Sequence, residues 1–463
     1  MKENKMGTMP VGKLIITMSW PAVLSMLIQA MYNVVDSFFV SRLGEEALAA
    51  ITYIFPVQMV MIACAIGTGI GINSLIARRL GAHKFEEADM AASHGYRLSF
   101  FNWIFFALIG LFLAKPLMHV MTDTPFIVEA GTKYMSIVMI GSLFLFVQLI
   151  SEKILQATGN MIFPMICTIT GAVTNVILDP LFIFGIGPFP EMGVTGAAIA
   201  TVMGQFLSMI LGQYLLFGKR HAVKVKLRGW KWNHKIARDI YSVGFPAILM
   251  QCIMSVMQFG MNMILSSFTE TAVAVMGVYG RLQSFIFMPA IGLNQGILPI
   301  MGYNYGARNK KRMMETYKKG LILAFCIMTI GLAVFQIFPH QLLSIFNAQG
   351  NQDMYDIGVP ALRTISICFL PAAYGIMTSA VFQGSGHGFL SLWSSLIRQL
   401  VGILPIAFIF GKLFGLQAVW YSFPLAEILG TAYLIITFIS LYRKELKHLG
   451  EEDAKPKEEG IEP

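Results

Sequence analysis

Long apolar runs separated by short polar or charged segments recur along the whole chain. Each run is long enough to cross a bilayer as an α-helix, and none shows the alternation of a membrane β-strand. The runs predict twelve spans, of which the first six lie at 14–40, 48–75, 91–120, 131–157, 162–186 and 194–217. The second six lie at 240–267, 272–300, 315–346, 356–382, 390–411 and 417–442. The pattern predicts an all-α polytopic membrane protein.

The two halves of this pattern resemble each other when position n is laid on position n + 225. At this offset Trp-Pro-Ala at 20–22 falls on Phe-Pro-Ala at 245–247. Three glycine pairs also coincide: Gly67 with Gly292, Gly71 with Gly296, and Gly81 with Gly306. Each half has an even number of predicted spans, so both halves cross the membrane in the same direction. We expect two six-helix lobes related by a pseudo-two-fold axis along the membrane normal, as in many secondary transporters.

The predicted organisation has four parts: an N-terminal lobe at 1–217, a basic cytoplasmic linker at 218–239, a C-terminal lobe at 240–442, and a charged cytoplasmic tail at 443–463. Cytoplasmic loops carry the excess of Lys and Arg in membrane proteins. With both termini inside, 27 of the 34 Lys and Arg residues fall on the inner side and 4 on the outer side. We therefore expect both termini in the cytoplasm.

Three arginines remain inside predicted spans: Arg281, Arg363 and Arg398. A full apolar run follows Arg398, so we expect this side chain near the cytoplasmic side, where it can snorkel to the interface. Arg281 is expected to pair with a carboxylate or with backbone carbonyls.

Composition agrees with a membrane class, because 56% of the residues are hydrophobic and 13% are charged, against about 25% charged in soluble domains. Positive loops explain the net charge of +9, so no nucleic-acid partner is expected. The five Cys are scattered through apolar runs without a metal-binding or disulfide spacing. The sequence lacks a Walker A motif, and Gly-Thr-Gly-Ile-Gly at 67–71 lies inside a span, which argues against ATP-driven transport.

The first span carries Pro21 near its start and Asp36 near its end. An ionised carboxylate at this depth costs roughly 2.5–3.5 kcal/mol on insertion scales, so such a residue is a functional candidate. Gln29, Asn33 and Asp36 share one helical face, and Tyr32 lies one turn from Asp36. We interpret Gln29, Tyr32 and Asn33 as candidate lining of a substrate cavity.

A second polar group is predicted at the same depth. Asn175 and Asp179 share a face of the fifth span, and Thr201 reaches their level in the sixth span. Together with Asp36 they form an oxygen-rich set that suits a hard cation such as Na⁺. Two close carboxylates in a low dielectric equally hold at least one proton. A purely structural hydrogen-bonded pair is the alternative.

The second lobe breaks the repeat at these positions, because Asp36 falls on Met261 and Asp179 falls on Leu404. We therefore expect an ion site in the N-terminal lobe alone. Met257 and Met261 are candidates for an adaptable substrate cavity, although Met residues also simply fill helix contacts. Glu152, near the cytoplasmic end of the fourth span, is either a further substrate contact or a carboxylate at a helix end.

These motifs, in their order, resemble the multidrug and toxic compound extrusion (MATE) transporters. The resemblance extends to about residue 442 and rests on six short stretches: WPAVLSMLIQAMYNVVDSFFV, QATGN at 156–160, TNVILDPLFIF, GVTGAAIAT at 193–201, and the FPA and GYNYGARN of the second half. It implies a monomer in the cytoplasmic membrane of a bacterium. It also implies efflux of organic, often cationic, compounds in exchange for Na⁺ or H⁺, with no cofactor.

Position by position, the resemblance assigns the N-terminal ion site to Asp36, Asn175, Asp179 and Thr201. Another branch of the family carries a Glu in its seventh helix and an Asp in its tenth; this chain has no acidic residue in 240–267. Pro21 is a candidate hinge, because proline frees a backbone carbonyl and bends a helix.

The expected partners are a small organic substrate and the lipid bilayer. The alternative function is a flippase for a lipid-linked or peptide-linked metabolite, which would favour several converging cationic residues in the cavity. An integral-membrane enzyme would need clustered Asp or His, and only Asp36 and Asp179 approach that condition. A channel is less compatible with lobes that differ in their polar residues. The sequence therefore favours a secondary active antiporter that works by alternating access.

Overall fold

The structure is a computed structural model that describes residues 4–218, 222–226, 232–347 and 350–450. All regular secondary structure in these ranges is helical. Eleven of the described helices are long and apolar enough to cross a membrane, and one bent pair of helices supplies a twelfth span. The predicted all-α polytopic architecture is therefore confirmed.

We number the spans from 1 to 12 in chain order. Spans 1 to 6 are Val11–Ser41, Glu45–Gly81, Phe85–Met121, Pro125–Ala157, Ile162–Phe184 and Val194–Phe217. Spans 7 to 12 are His234–Ser266, Glu270–Gly306, Lys310–Ile337, the bent pair Gln352–Ser366 and Phe369–Ser385, Gly388–Phe414, and Leu416–His448. Spans 3 and 11 each contain one π-helical stretch, at Ile109–Leu113 and at Ile397–Ile403.

Span 9 and span 10 differ from their predicted bounds. Span 9 ends at Ile337 and not at 346, because Pro339 lacks the N–H that would continue the helix and starts a separate short helix, Pro339–Ser344. Span 10 bends by 45° between Ser366 and Phe369. The apolar runs alone could not reveal either break, since both lie within continuous hydrophobic sequence.

One face of the molecule carries both ends of the described chain, and we call it the basic face. There Arg312 donates to the backbone oxygens of Met6 (3.1 Å) and Met9 (2.7 Å), and Tyr305 donates to Glu445 (3.1 Å). Parts of the predicted linker (219–221 and 227–231) and of the predicted tail (451–463) lie outside the described residues. Within the described part of the linker, the Lys224 N–H donates to Asp89 of span 3 at 2.7 Å.

The repeated glycines form the contact between the lobes on the side of the basic face. Gly67 of span 2 packs against Ile248 of span 7, and Gly292 of span 8 packs in the same way against Val23 of span 1. Both partners, like both glycines, are related by the 225-residue offset. A Cβ atom on Gly292 would lie only 2.7 Å from the Cα of Val23. Residues with side chains at these positions would force the helices apart.

The same relation holds at the ends of spans 2 and 8. Gly81 packs against the backbone oxygen of Tyr303, and Gly306 packs against the backbone oxygen of Arg78, which is the repeat mate of Tyr303. Neither contact leaves room for a Cβ atom. The glycines that the sequence repeat identified are therefore the backbone contacts of a two-fold seam.

The seam does not continue toward the opposite face. Arg281 and Phe285 lie three and two turns from Gly292 on the same face of span 8, and both are exposed. Gln29 and Asn33 of span 1 are likewise exposed on the face that packs against span 8 near the basic face. Spans 1 and 8 therefore pack together near the basic face and leave their facing sides exposed toward the opposite face, and we call the space between these exposed sides the cavity.

Candidate functional site

The carboxyl groups of Asp36 and Asp179 lie close together inside the N-terminal lobe and interact electrostatically. Asp179 is fully buried between spans 1, 5 and 6, whereas Asp36 keeps partial exposure. Two carboxylates this close in a low dielectric repel each other unless one of them holds a proton or a cation lies between them. The pair can therefore take up and release a proton, or exchange it for another cation.

Asn175 and Thr201 complete the buried side of the pair, as the sequence predicts. With the Asn175 amide assigned from its hydrogen-bond partners, its side-chain N–H donates to Asp179 Oδ2 at 2.7 Å and its side-chain oxygen accepts from the Thr201 backbone N–H at 3.1 Å. The Thr201 hydroxyl donates to the Ala197 backbone oxygen at 3.0 Å. Each polar group next to Asp179 is thus held by a further bond, which fixes the carboxyl group in position.

Two tyrosines extend the pocket, and one of them was not predicted. Tyr32 of span 1 and Tyr134 of span 4 each lie next to the Thr201 side chain. Tyr134 also lies next to the side chain of Gln58 in span 2. Tyr32, predicted as substrate cavity lining, therefore lies beside the Asp36–Asp179 pair. Tyr134 and Gln58 carry no charge, so only their depth in the membrane could have pointed to them.

The arrangement fits a small hard cation. Asp179 Oδ1 is buried and has no hydrogen-bond partner among the described residues, which leaves one acceptor oxygen free next to Asp36. Carboxylate, amide and hydroxyl oxygens surround this point, and such oxygens are the preferred ligands of hard cations. Among the described residues, no group of three or more His, Cys, Asp and Glu residues could hold a metal ion.

The cavity reaches this pocket along span 1. Gln29 and Asn33 are exposed there, and Asp36 follows them on the same side of the helix. A cation that enters from the open face can thus contact Asp36 before Asp179. Met257 of span 7 is half-buried, at the repeat mate of Tyr32.

The mirror point in the C-terminal lobe is apolar. Met261 is completely buried, so in this conformation it lines no cavity, contrary to its predicted role. A Cβ atom on its neighbour Gly260 would lie 2.9 Å from Leu404, the mate of Asp179, so spans 7 and 11 pack closely at this level. Because Met261 is the repeat mate of Asp36, it points into the C-terminal lobe as Asp36 points into the N-terminal lobe.

Glu152 is buried and does not reach the cavity in this conformation. It keeps 5% exposure, accepts a hydrogen bond from Gln148 at 3.0 Å and also bonds Thr168. The adjacent Lys153 is equally buried and donates to Gln156 at 3.0 Å. Glu152 therefore does not snorkel, and it belongs to a closed polar cluster of the N-terminal lobe.

A second buried charge pair lies in the C-terminal lobe. Arg398 of span 11 and Glu427 of span 12 form an ion pair at 3.4 Å, with side-chain exposures of 29% and 7%. Arg398 lies about 15 Å along its helix from Gly388 and is paired with Glu427, a partner that the predicted snorkelling does not include. Glu427 was missed because a single acidic residue in an apolar run does not reveal its partner on another helix.

This ion pair coincides with two irregular helices. Arg398 belongs to the π-helical stretch of span 11, and Cys368, at the bend of span 10, lies close enough to interact electrostatically with both members of the pair. π-helical turns occur frequently at functional sites. Arg281, by contrast, is exposed toward the cavity and has no ion-pair partner among the described residues, so its predicted pairing with a carboxylate is not found.

Comparison with known proteins agrees with this geometry. The MatE family model matches the chain twice, at residues 21–181 and 246–409. The two matched ranges start at 21 and 246 and therefore differ by the 225-residue offset of the repeat. The duplication is thus visible in the family match itself.

Known relatives cover nearly the whole chain. A FAD transporter of Shewanella oneidensis is 27% identical over 434 residues, which are 91% of this chain and 92% of that protein. The multidrug export protein MepA of Staphylococcus aureus is 25% identical over 441 residues, covering 93% and 94% of the two chains.

A solved structure, described as the outward-facing conformation of a multidrug resistance MATE family transporter of the MOP superfamily, superposes with a TM-score of 0.88. It is 30% identical and covers 97% of this chain and 99% of that chain. Its fold is that of the two lobes described above. Because the family model matches both lobes and most of the sequence, the chain belongs to the MatE family of membrane transporters, the MATE transporters.

Proposed function

We propose that this protein is an antiporter that exports organic compounds in exchange for Na⁺ or H⁺. The observation that carries the proposal is the close Asp36–Asp179 carboxyl pair at the edge of a cavity that opens at one face only. Its relatives include a protein named as a multidrug exporter, which supports small organic substrates. The buried acceptor atom Asp179 Oδ1 supports cation coupling.

The exchange follows from competition between positive charges. A cation that binds at Asp36 neutralises the carboxyl pair and lowers the affinity of the cavity for a cationic substrate. The basic face carries most Lys and Arg residues, and we assign it to the cytoplasm of a bacterium. An inward-negative membrane potential then assists cation entry by about 2.3 kcal/mol per charge per 100 mV. We expect a monomer to suffice, since one chain holds both lobes and the pocket.

Pro21 can couple ion binding to the shape of the cavity. It lies inside the continuous helix of span 1 and leaves the Thr17 carbonyl without its helical partner. Span 1 carries Asp36 at one end, and on the other side of Pro21 its residue Ser19 packs on Gly296 of span 8. A bend at Pro21 would move Asp36 relative to Asp179 while the seam at the basic face stays closed.

The Asp36→Asn variant tests the proposal, because Asn cannot release a proton or supply a charged ligand. We expect efflux of a cationic dye, driven in everted vesicles by a Na⁺ or pH gradient imposed separately, to fall at least about tenfold. Asp356→Asn is the matched control, since Asp356 is an acidic residue near the start of span 10, in the other lobe. Unchanged efflux by Asp36→Asn under both gradients would refute cation coupling at this site.

A second candidate function is export of an anionic metabolite. Arg281 favours it, because this cation faces the cavity without an ion-pair partner in the described structure. The relative named as a FAD transporter supports the same reading, since FAD is an anionic dinucleotide.

Substitution of Arg281 separates the two candidates. If the protein exports anions, Arg281→Gln should reduce flavin nucleotide efflux at least about tenfold and leave cationic dye efflux intact. If it exports cations, the same variant should leave dye efflux equal or higher, because a repulsive charge has been removed. Arg363→Gln is the matched control, since Arg363 is an exposed arginine of span 10 that is remote from Arg281 in the sequence.

A further inference from the structure

A basic pocket lies at the basic face, in the groove between the start of span 9 and the end of span 12. Its volume is about 970 Å³. Five cationic side chains line it: Lys310, Lys311, Lys318, Arg443 and Lys447. It belongs entirely to the C-terminal lobe and is separate from the cavity between the lobes.

The positive charge of this pocket is not balanced within the described structure. Its one lining carboxylate, Glu315, is bonded to Lys319 at 2.7 Å, and Lys319 is not a lining residue. Lys310 donates to the backbone oxygen of Lys447 at 3.0 Å, which holds the start of span 9 against the end of span 12. The cations that line one pocket repel each other, so an anion in the pocket would be stabilised by all five of them.

The floor of the pocket is apolar and well ordered by its contacts. Phe438 and Ile439 line it, and Phe438 stacks on Tyr317 with ring centroids 4.9 Å apart. The Tyr317 hydroxyl is in turn hydrogen-bonded to Thr378 at 3.0 Å. The floor therefore persists without a ligand and can receive a hydrocarbon chain.

The order of these residues along span 12 matches the layers of a membrane. Ile439 lies one helical turn, about 6 Å, deeper than Arg443. Tyr442 lies between them, where Tyr residues typically mark the membrane interface, and Lys310 lies over its ring at 5.6 Å. The cations thus sit at the level of lipid headgroups and the apolar floor at the level of acyl chains.

We propose that this pocket binds one anionic phospholipid from the leaflet at the basic face. Its phosphodiester would contact Lys310, Arg443 and Lys447, and an acyl chain would lie on Phe438 and Ile439. Basic pockets between membrane helices are typical headgroup sites for such lipids. A solvated group of surface lysines would lack the apolar floor, and a site for a soluble anion would not need it.

Native mass spectrometry of the purified full chain, with added phosphatidylglycerol or phosphatidylcholine, tests this proposal. We expect the protein to retain phosphatidylglycerol at least about tenfold more strongly than phosphatidylcholine. The triple substitution Lys310→Gln, Arg443→Gln and Lys447→Gln should abolish this preference. The matched control removes three exposed lysines elsewhere on the basic face, by Lys13→Gln, Lys224→Gln and Lys235→Gln, and should keep it.

Two further arms separate a lipid from a free anion. The Ile439→Asn variant should weaken phosphatidylglycerol binding and leave the binding of soluble glycerol phosphate unchanged, because it alters only the apolar floor. Equal lipid preference in the triple variant and the wild-type protein would overturn the proposal. It would equally fail if glycerol phosphate displaced the lipid at matched concentration, since the pocket would then be an anion site without a role for acyl chains.

Discussion

The two lobes share their backbone contacts but differ in their polar chemistry. Gly81 and Gly306 make equivalent contacts across the seam, each against the backbone of the other lobe. The polar residues are not shared. The N-terminal lobe has Asp36 next to Asp179, whereas the repeat-related positions of the C-terminal lobe are Met261 and Leu404. Close helix packing requires glycine at these positions in both lobes. The carboxyl pair, by contrast, is needed only in the lobe where it has a function.

The C-terminal lobe has its own buried charges, at a different place. Arg398 and Glu427 join spans 11 and 12, whereas Asp36 and Asp179 join spans 1 and 5. An ion pair of opposite charges is neutral by itself, but a carboxyl pair needs a proton or another cation. On the proposed function, this difference gives exchangeable charge to the N-terminal lobe and fixed charge to the C-terminal lobe.

The most direct way to remove this difference is to give the N-terminal lobe the residues of its mate, by Asp36→Met together with Asp179→Leu. We expect ion-coupled efflux from vesicles to fall by about 100-fold, since no exchangeable charge remains. Replacing a buried charged network by apolar residues is often neutral or stabilising by about 1–4 kcal/mol. Thermal unfolding in detergent should therefore show a melting temperature equal to or above that of the wild type.

The reverse swap is the control for this result. Met261→Asp together with Leu404→Asp buries carboxyl groups among apolar side chains, so we expect a lower melting temperature and no new ion coupling. Coupled efflux that survives in the first double variant would show that the carboxyl pair is structural.

A second test concerns the fixed charges of the C-terminal lobe. Removing one partner of a buried ion pair typically costs about 3–5 kcal/mol, and we expect about 2–3 kcal/mol for Glu427→Gln because Arg398 keeps 29% exposure. The loss should appear as a lower melting temperature. Replacing both residues, by Arg398→Met and Glu427→Gln, should recover part of it, since no unpaired charge remains.

The dependence of efflux on the imposed ion gradient distinguishes the two lobes in the Glu427 variants. Glu427→Gln should lower stability but leave the ratio of Na⁺-driven to pH-driven efflux unchanged. A change in that ratio would mean that the C-terminal pair also exchanges ions, and the contrast between the lobes would be lost.

A third and smaller effect is expected at the seam, where the lobes are alike. Gly81→Leu and Gly306→Leu each place a side chain against a backbone oxygen of the other lobe, so both should open the basic face. In a variant without native Cys, Ser74→Cys reports this opening, because Ser74 is buried in the wild type. We expect its labelling by an impermeant maleimide from the basic face to rise about tenfold in both variants.

The decisive observation is whether Gly81→Leu and Gly306→Leu raise the labelling of the Ser74→Cys reporter equally. The control is Gly277→Leu in span 8, where a side chain would enter open space and labelling should not change. Strongly unequal effects of Gly81→Leu and Gly306→Leu would show that the two-fold seam is only apparent.

The sequence by itself determined the class of this protein. Apolar length sets the number of spans, because a helix that crosses hydrocarbon needs a fixed number of residues. The 225-residue offset identified the glycines of the seam, since close backbone contacts tolerate no other residue. Asp36, Asn175, Asp179 and Thr201 were also within reach, because buried charge is conspicuous in an apolar run and depth follows from residue count.

Only the tertiary structure decided which side chains meet. Helical periodicity predicts which face of span 12 carries Glu427. It cannot predict that the residue facing Glu427 is Arg398 of span 11. For the same reason the sequence did not predict that Tyr134 and Gln58 lie near the Asp36–Asp179 pair, or that Met261 is buried in the core. The basic pocket at Lys310 and Lys447 likewise exists only because two chain segments more than a hundred residues apart end side by side.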